Sequence, residues 1–262
     1  MRALRFLPFA LTLVSPMALA DLPDIPDSAF AEACDAARAV DACPSCKCAM
    51  RTSTSPHPAG ETSNVPLGVV LELTATLEEG VTYSAIHVAI GGREKLEHVG
   101  RLAQGRTGTP YATSYDVVAL QQGFQMCPGG CDFEAMGIIH PFEVKTMEDG
   151  FDVDEGAALY SERTVLALCF EGPGGTTCAA MPIAAEERRD PVSMAPGHKP
   201  KPASKAGFKR TWKLGKAGDV VFGAAKGKLA QRVAEAKGFK VGLMDLANHP
   251  DAVQLVRYPE AP

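Results

Sequence analysis

The chain has 262 residues, of which 46% are hydrophobic and 22% are charged, a composition typical of folded globular proteins that excludes wholesale disorder. Its mean hydropathy is −0.02. No apolar run of about 18 residues follows the first twenty, which excludes a protein with several membrane spans. The charge is divided: residues 21–194 carry 11 basic and 26 acidic groups, a net −15, and residues 195–262 carry 13 basic and 5 acidic groups, a net +8.

The first twenty residues have the pattern of a secretion signal. Arg2 and Arg5 give a positive start, residues 6–14 are apolar, and residues 18–20 form a small-x-small cleavage sequence. Residues 1–20 are therefore predicted to be a signal peptide; the alternative is a buried N-terminal helix. We expect a mature protein that is secreted or periplasmic, with no transmembrane segment after cleavage.

All eight cysteines lie in the predicted mature chain, and an even set in an oxidising compartment is typical of disulfides. Cys169 and Cys178 flank a Gly-rich turn and would face each other across a hairpin. Cys127 and Cys131 close a second Gly-rich loop. The remaining four allow three different pairings and are Cys34, Cys43, Cys46 and Cys48.

The N-terminal part of the mature chain, residues 21–64, is predicted to be a Cys-rich helical segment followed by a linker. Apolar residues recur every three or four positions over residues 27–42, which predicts a helix. Residues 52–66 are rich in Ser, Thr and Pro and have the composition of a linker.

The central part of the chain has the alternating pattern of β-strands. From residue 67 to 77 apolar and polar residues alternate, as in a half-buried antiparallel strand. Further strands are predicted at residues 81–90, 96–102, 111–120, 136–146, 163–170 and 177–183, with turn signals such as Asp149-Gly150 between them. About seven short strands without crossover helices predict an all-β fold, an antiparallel β-sandwich over residues 65–184.

The remainder is predicted to be a Pro/Lys-rich linker over residues 185–210 and a small mixed C-terminal unit over residues 211–262. Within that unit we expect short strands at 220–222 and 239–243 and a last short element at 251–257. A helix is expected at 224–237, because Leu229 and Val233 are four apart and Gly238 is placed for a C-cap.

The run Cys43–Cys48 is the most distinctive chemical feature. We favour structural disulfides for it; the alternatives are a metal site or a thiol–disulfide centre. The two-knuckle spacing of zinc sites is absent, and the C-P-x-C pair follows a predicted helix instead of opening one. A haem attachment would need His at position 47, which is Lys. No metal or cofactor is predicted.

A basic stretch interleaved with aromatic residues is the second feature. Cations beside aromatic rings suit anionic surfaces, and the alternative is that the stretch docks on the acidic part of its own chain. The candidate anionic-surface residues are Lys209, Arg210, Trp212, Lys213 and Lys216. A nucleic acid is not an expected partner.

The other polar residues give weaker indications. His87, His98 and His140 lie in or near predicted strands and are interpreted as separate, hydrogen-bonded residues. The acidic run over residues 148–155 is interpreted as an exposed loop, because the pattern of an EF-hand calcium loop fails in it.

These observations together predict a non-catalytic, disulfide-stabilised module that binds or organises an anionic or protein partner at the cell envelope. No catalytic residue is predicted, since no complete catalytic motif occurs. The first alternative is a thiol–disulfide or metal-handling protein centred on Cys43, Cys46 and Cys48. The second is an envelope hydrolase whose site lies on sandwich loops, which would bring one of the histidines next to a carboxylate in a cleft.

Overall fold

The chain folds mostly into β-strands, with an α-helix near the start of the described part. This computed structural model describes residues 25–54, 67–77, 80–92, 95–107, 112–119, 124–125, 138–152, 156–172, 175–192, 202–215, 219–233 and 235–242. The predicted signal peptide, residues 127–131, Lys216 and the residues of the short element predicted at 251–257 lie outside these ranges. In the described ranges no helix has the length and hydrophobicity of a transmembrane span.

The helix α1 spans Asp27–Val40, two residues fewer than predicted. The described strands are β1 (Lys47–Thr54), β2 (Leu67–Thr76), β3 (Thr82–Gly91), β4 (Leu96–Thr107), β5 (Ala112–Ala119), β6 (Phe124–Gln125), β7 (Ile138–Asp152), β8 (Ala157–Gly172), β9 (Gly175–Pro191), β10 (Ser204–Lys209), β11 (Trp212–Leu214), β12 (Asp219–Phe222) and β13 (Phe239–Gly242). The predicted β-rich class is confirmed.

The strands form three antiparallel arrays. The first array contains β1 to β4 in chain order, and the second runs β5-β7-β8-β9-β10 with β6 paired to β7. The only parallel pairing among the described strands, Val99 with Thr176, joins β4 to β9. The third array is the C-terminal sheet β11-β12-β13.

The main core is shared by α1 and the first two arrays. Residues 85–90 of β3 are buried without interruption, as expected for a strand covered on both faces. Ala33 and Ala37 of α1 belong to the same cluster, and so do Phe142 of β7 and Ala167 of β8. The clean in–out alternation predicted for residues 67–77 is therefore incomplete: Val69, Val70 and Leu71 are all buried.

Parts of two predicted linkers are strands, and one predicted turn is absent. Residues 52–54, at the start of the linker predicted at 52–66, belong to β1, which pairs with β2 from Lys47↔Thr74 to Thr54↔Gly68; residues 55–66 lie outside the described ranges. Much of the predicted linker 185–210 belongs to the β9–β10 pair, in which cross-strand ion pairs such as Lys205–Glu186 accommodate the charged residues. The Asp149-Gly150 turn is absent, because β7 remains paired with β8 as far as Asp152↔Ala157.

The helix predicted at 224–237 is wrong. Gly227 has a φ of 125°, outside the helical range, and Lys226 forms an isolated bridge with Lys209 of β10. A single 3₁₀ turn, Ala230–Arg232, occupies the middle of this segment. Leu229 and Val233 are buried as their spacing suggests, but in a small cluster with Phe208 and Ala185.

Candidate functional site

A charged groove lies on one face of the second array, and the strand register accounts for it. Five residues from five adjacent strands lie side by side in one row. Directly opposed residues on neighbouring strands project from the same face of a sheet. The row consists of Thr113, Glu148, Ser161, Glu187 and Ala206, and all five line the groove.

Small side chains leave the space for the groove. Ser161 and Ala206 occupy the first row, and Gly150 and Ser204 stand at the two ends of the next row, with Leu159 and Arg189 between them. The resulting groove has a volume of about 900 Å³. A site of this size accommodates a drug-sized molecule or a short stretch of extended peptide.

Charges of both signs line the groove. The carboxylates on this face are Glu148, Asp152 and Glu187, and the guanidinium groups are Arg163, Arg189 and Arg232. Arg232 reaches in from the 3₁₀ turn and lies 3.2 Å from Glu187, while Arg189 and Asp152 are 3.9 Å apart. Glu148 and Asp149 are exposed side chains on β7. The acidic run predicted as an exposed loop therefore begins on a strand at the edge of this groove.

The hydroxyl of Ser161, in the floor of the groove, is buried and lacks a hydrogen-bond partner among the described residues. Buried polar groups nearly always have a partner, and a lone one needs a water molecule, an ion or a ligand to complete it. Ser161 thus offers a hydrogen-bonding group to a polar group bound in the groove.

Tyr160 and its register partners Asp149 and Arg188 form the intervening row, whose side chains project from the opposite face of the sheet. The Tyr160 hydroxyl donates to Glu162 over 2.7 Å, and Glu162 also accepts Lys145 at 2.8 Å. The hydrogen bond to Glu162, with partial burial, raises the pKa of Tyr160 to about 12. The hydrogen bonds from Lys145 and Tyr160 lower the pKa of Glu162. Arg188 lies over the Tyr160 ring, 5.1 Å from its centroid.

A second notable region is the disulfide cap, which we define as α1 with residues 41–48. Cys34 pairs with Cys48 and Cys43 pairs with Cys46, so the structure selects one of the three pairings left open by the sequence. The first bridge ties α1 to β1. All the described cysteines are in disulfides, and no group of described side chains is arranged to hold a metal ion.

The turn after α1 is a Schellman motif with alanine in the glycine position. The Cys43 amide donates to the Arg38 carbonyl at 2.9 Å, and the Ala42 amide donates to the Ala39 carbonyl at 3.2 Å. Ala42 has a φ of 49°, which is in the left-handed region that glycine normally occupies. This turn directs the chain from the helix into the Cys43–Cys46 ring.

Asp41 locks the disulfide cap onto the first array. Its side chain is 0% exposed and accepts hydrogen bonds from Tyr83 at 2.8 Å and from Arg101 at 2.9 Å, and it also bonds His87 at 2.9 Å. Burial by itself would raise the pKa of Asp41, but the bonds to His87, Tyr83 and Arg101 outweigh burial and lower it. Burial and the bond to Asp41 raise the pKa of Tyr83 to about 12.

The bridge across the β8–β9 hairpin forms where the spacing predicts it. Cys169 and Cys178 are directly opposed, with 4.1 Å between their Cα atoms. Phe170 and Thr177 continue the same register toward the turn. Local geometry was sufficient for this prediction because the two residues are related by one short turn.

The structure separates the residues of the basic stretch. Lys209 and Lys213 are exposed, but Arg210 is only 7% exposed and lies near the rings of Phe208 and Phe239, and burial lowers its pKa. Trp212 is half-buried, and its indole Nε1 lies 3.4 Å from Glu143 of β7. An anionic-surface role for these residues stays a prediction.

The two histidines with described side chains lie away from the groove. His87 is buried against Asp41. His140 is buried in β7, and desolvation lowers its pKa to about 4. His98 lies in β4, and its side chain is outside the description. His87 does meet a carboxylate, but both side chains are 0% exposed, so they line no cleft.

Sequence reasoning missed both the groove and Asp41. The groove residues come from five strands whose register is not encoded locally, although the small residues at 150, 161 and 206 on otherwise charged strands are a faint signal. Asp41 directly precedes the Ala42-Cys43 turn, but its partners lie more than 40 residues away in sequence. The chain matches no known protein-family model, no curated protein and no solved structure.

Proposed function

We propose that the protein is a secreted or periplasmic, non-catalytic binding module that takes a charged segment of a partner protein into the groove of the second array. The observation that carries the proposal is the groove itself, with its small-residue floor, its mixed charges and a Ser161 hydroxyl that has no partner among the described residues. The three described disulfides support a location outside the cytoplasm. We also propose that the two large arrays form a sandwich, since they share one core.

The mixture of charges favours a protein segment over a purely anionic polymer. A polyanion would meet the carboxylates of Glu148 and Asp152 on β7. Like charges brought together at an interface oppose binding, whereas complementary charges fix the register of a partner. A segment carrying basic groups toward β7 and acidic groups toward the arginines satisfies both sides of the groove.

The side chains that line the groove favour binding over hydrolysis. Neither histidine nor cysteine occurs among the described lining residues. Ser161 has Glu148 and Glu187 as its cross-strand neighbours, and the described lining supplies no imidazole to act as a base beside it. The groove supplies hydrogen-bonding and charged groups for recognition, which is what a binding site requires.

The proposal is tested with three synthetic peptides of equal length: alternating Glu-Lys, all-Glu and all-Lys. Binding of each to the mature protein is measured by NMR titration at about 50 mM salt, where exposed charges are weakly screened. We expect the alternating peptide to bind most tightly and to shift the amide resonances of residues 148 and 161. If the all-Glu peptide binds most tightly, or if the shifts are confined to residues 209–213, the binding site is the basic stretch and not the groove.

Matched charge reversals locate the site. Glu148→Lys reverses a charge inside the groove. The control, Asp116→Lys, reverses the charge of an exposed residue on β5 that does not line the groove. We expect Glu148→Lys to weaken binding of the alternating peptide by about tenfold, an effect of about 1.4 kcal/mol. Asp116→Lys is expected to leave the affinity unchanged. Equal losses for both variants would mean that the peptide responds to net charge and not to the groove.

A further inference from the structure

The Cys43–Cys46 bridge contributes less to the fold than its neighbour does. It joins residues three apart, whereas Cys34–Cys48 joins residues fourteen apart and already ties α1 to β1. A disulfide restricts the unfolded chain less when the loop that it closes is shorter. By this argument the disulfide cap depends less on the second bridge than on the first.

The two sulfur atoms of this bridge sit in different environments. Pro44 and Ser45, at the tip of the ring, are exposed, and Cys43 is half-buried. Cys46 is only 2% exposed and belongs to the main core. Attack on a disulfide depends on which sulfur an incoming thiolate can reach. Cys43 is therefore the more exposed residue of the pair, and Cys46 is the more buried one.

The backbone of the ring is held without the sulfur atoms. The Cys43 amide donates to the Arg38 carbonyl at 2.9 Å, and the Cys46 amide donates to the Cys43 carbonyl at 3.2 Å. The Arg38 side chain donates through Nε to the Cys46 carbonyl at 2.9 Å. Asp41, two residues before the ring, is fixed by its buried bonds to β3 and β4. None of these contacts uses a sulfur atom of the bridge.

We propose that the Cys43–Cys46 bridge is an exchange-competent disulfide that accepts electrons from a partner dithiol. A thiolate of the dithiol attacks Sγ of Cys43, the S–S bond breaks, and Sγ of Cys46 leaves with the electron pair and takes up a proton. The second thiolate of the dithiol then attacks the dithiol's first sulfur, which is bonded to Cys43 in the mixed disulfide. Sγ of Cys43 leaves with the electron pair and is protonated. The dithiol loses two electrons and two protons, and the bridge gains them.

The first experiment is a graded reduction of the full mature protein with dithiothreitol. Thiols are trapped by alkylation at each concentration and located by peptide mass spectrometry, while circular dichroism follows the fold. We expect Cys43 and Cys46 to be alkylated at about a tenfold lower concentration than Cys34 and Cys48, with an unchanged spectrum. The two pairs opening together, or loss of the spectrum as Cys43 is labelled, overturns the proposal.

A matched pair of variants tests the asymmetry of the two sulfur atoms. Cys46→Ser leaves Cys43 as a free thiol, and Cys43→Ser leaves Cys46 free in the core. With oxidised glutathione we expect Cys46→Ser to form the mixed disulfide about tenfold faster than Cys43→Ser. Equal rates overturn the assignment of Cys43. Should either variant fail to fold, the reduction of the unmodified protein decides the question by itself.

Discussion

Replacing Asp41 with Asn tests whether one buried carboxylate fastens the disulfide cap to the first array. Asn keeps the shape of the side chain but removes the charge that Tyr83, His87 and Arg101 contact within 2.9 Å. Breaking a buried ionic contact costs about 3–5 kcal/mol. Arg101 is 36% exposed, so water screens its ion pair with Asp41 and hydrates it when that partner is lost. The Arg101 contact therefore contributes little to this cost. We expect Asp41→Asn to lower the free energy of unfolding by about 3 kcal/mol.

The pH dependence of this loss is the sharper test. Because the folded-state pKa of Asp41 lies below the ordinary value of 3.8, its stabilisation is present above that value and lost as the pH falls through the folded pKa. Urea unfolding of the oxidised protein should therefore show a large difference between Asp41→Asn and the unmodified protein at neutral pH. The difference should shrink below about pH 4.

A control and a refuting result complete the test. Asp116→Asn removes an exposed carboxylate on β5, and we expect its effect to stay within about 0.5 kcal/mol. If Asp41→Asn is as mild as this control at neutral pH, the buried cluster does not stabilise the disulfide cap. A loss that is equally large at neutral and acidic pH would mean that the charge of Asp41 is not its cause.

Two further predictions concern single residues and are checked by the same urea unfolding experiments. Ala42→Gly relieves a left-handed backbone conformation that costs alanine about 1–2 kcal/mol. Glycine also makes the unfolded chain more flexible, which lowers stability by about 0.5–1 kcal/mol. We therefore expect the free energy of unfolding to rise by about 0.5–1 kcal/mol, and a decrease would contradict the assigned turn. Burial lowers the pKa of His140 from 6.5 to about 4. Between these values the unfolded chain binds a proton that the folded protein does not, so the free energy of unfolding should fall as the pH is lowered from 6.5 to 4, by up to about 1.4 kcal/mol per pH unit. His140→Leu should remove this part of the slope, and an unchanged slope would assign it to other groups.

The features that were predictable from the sequence are local ones. The alternation after residue 67 and the turn residues between apolar runs located most strands, because a strand imposes its period of two on neighbouring residues. The Cys169–Cys178 bridge followed from one short turn. The helix prediction at 224–237 was wrong because a contact with a distant strand overrides the local pattern. The apolar spacing is present, but Lys226 pairs with Lys209 and Gly227 adopts a positive φ.

The features that were missed depend on pairing between distant strands. Ser161 looks unremarkable in the sequence, and it becomes part of a groove only because Glu148, Glu187 and Ala206 lie beside it in the register. The environment of Asp41 is likewise set by β3 and β4, which come later in the chain. Period and composition describe one segment at a time, so they contain no information about which charges a fold brings together.

The two proposed activities are carried by different parts of the fold, and this makes them separable. The groove is built on β5, β7, β8, β9 and β10, whereas the Cys43–Cys46 ring is fastened through Asp41 to β3 and β4. Reducing the ring should therefore leave binding of the alternating peptide unchanged, and Glu148→Lys should leave the dithiothreitol titration unchanged. If reduction of the ring instead weakens peptide binding while the spectrum is intact, the two sites are coupled through the core that the arrays share, and the module is a redox-controlled binder.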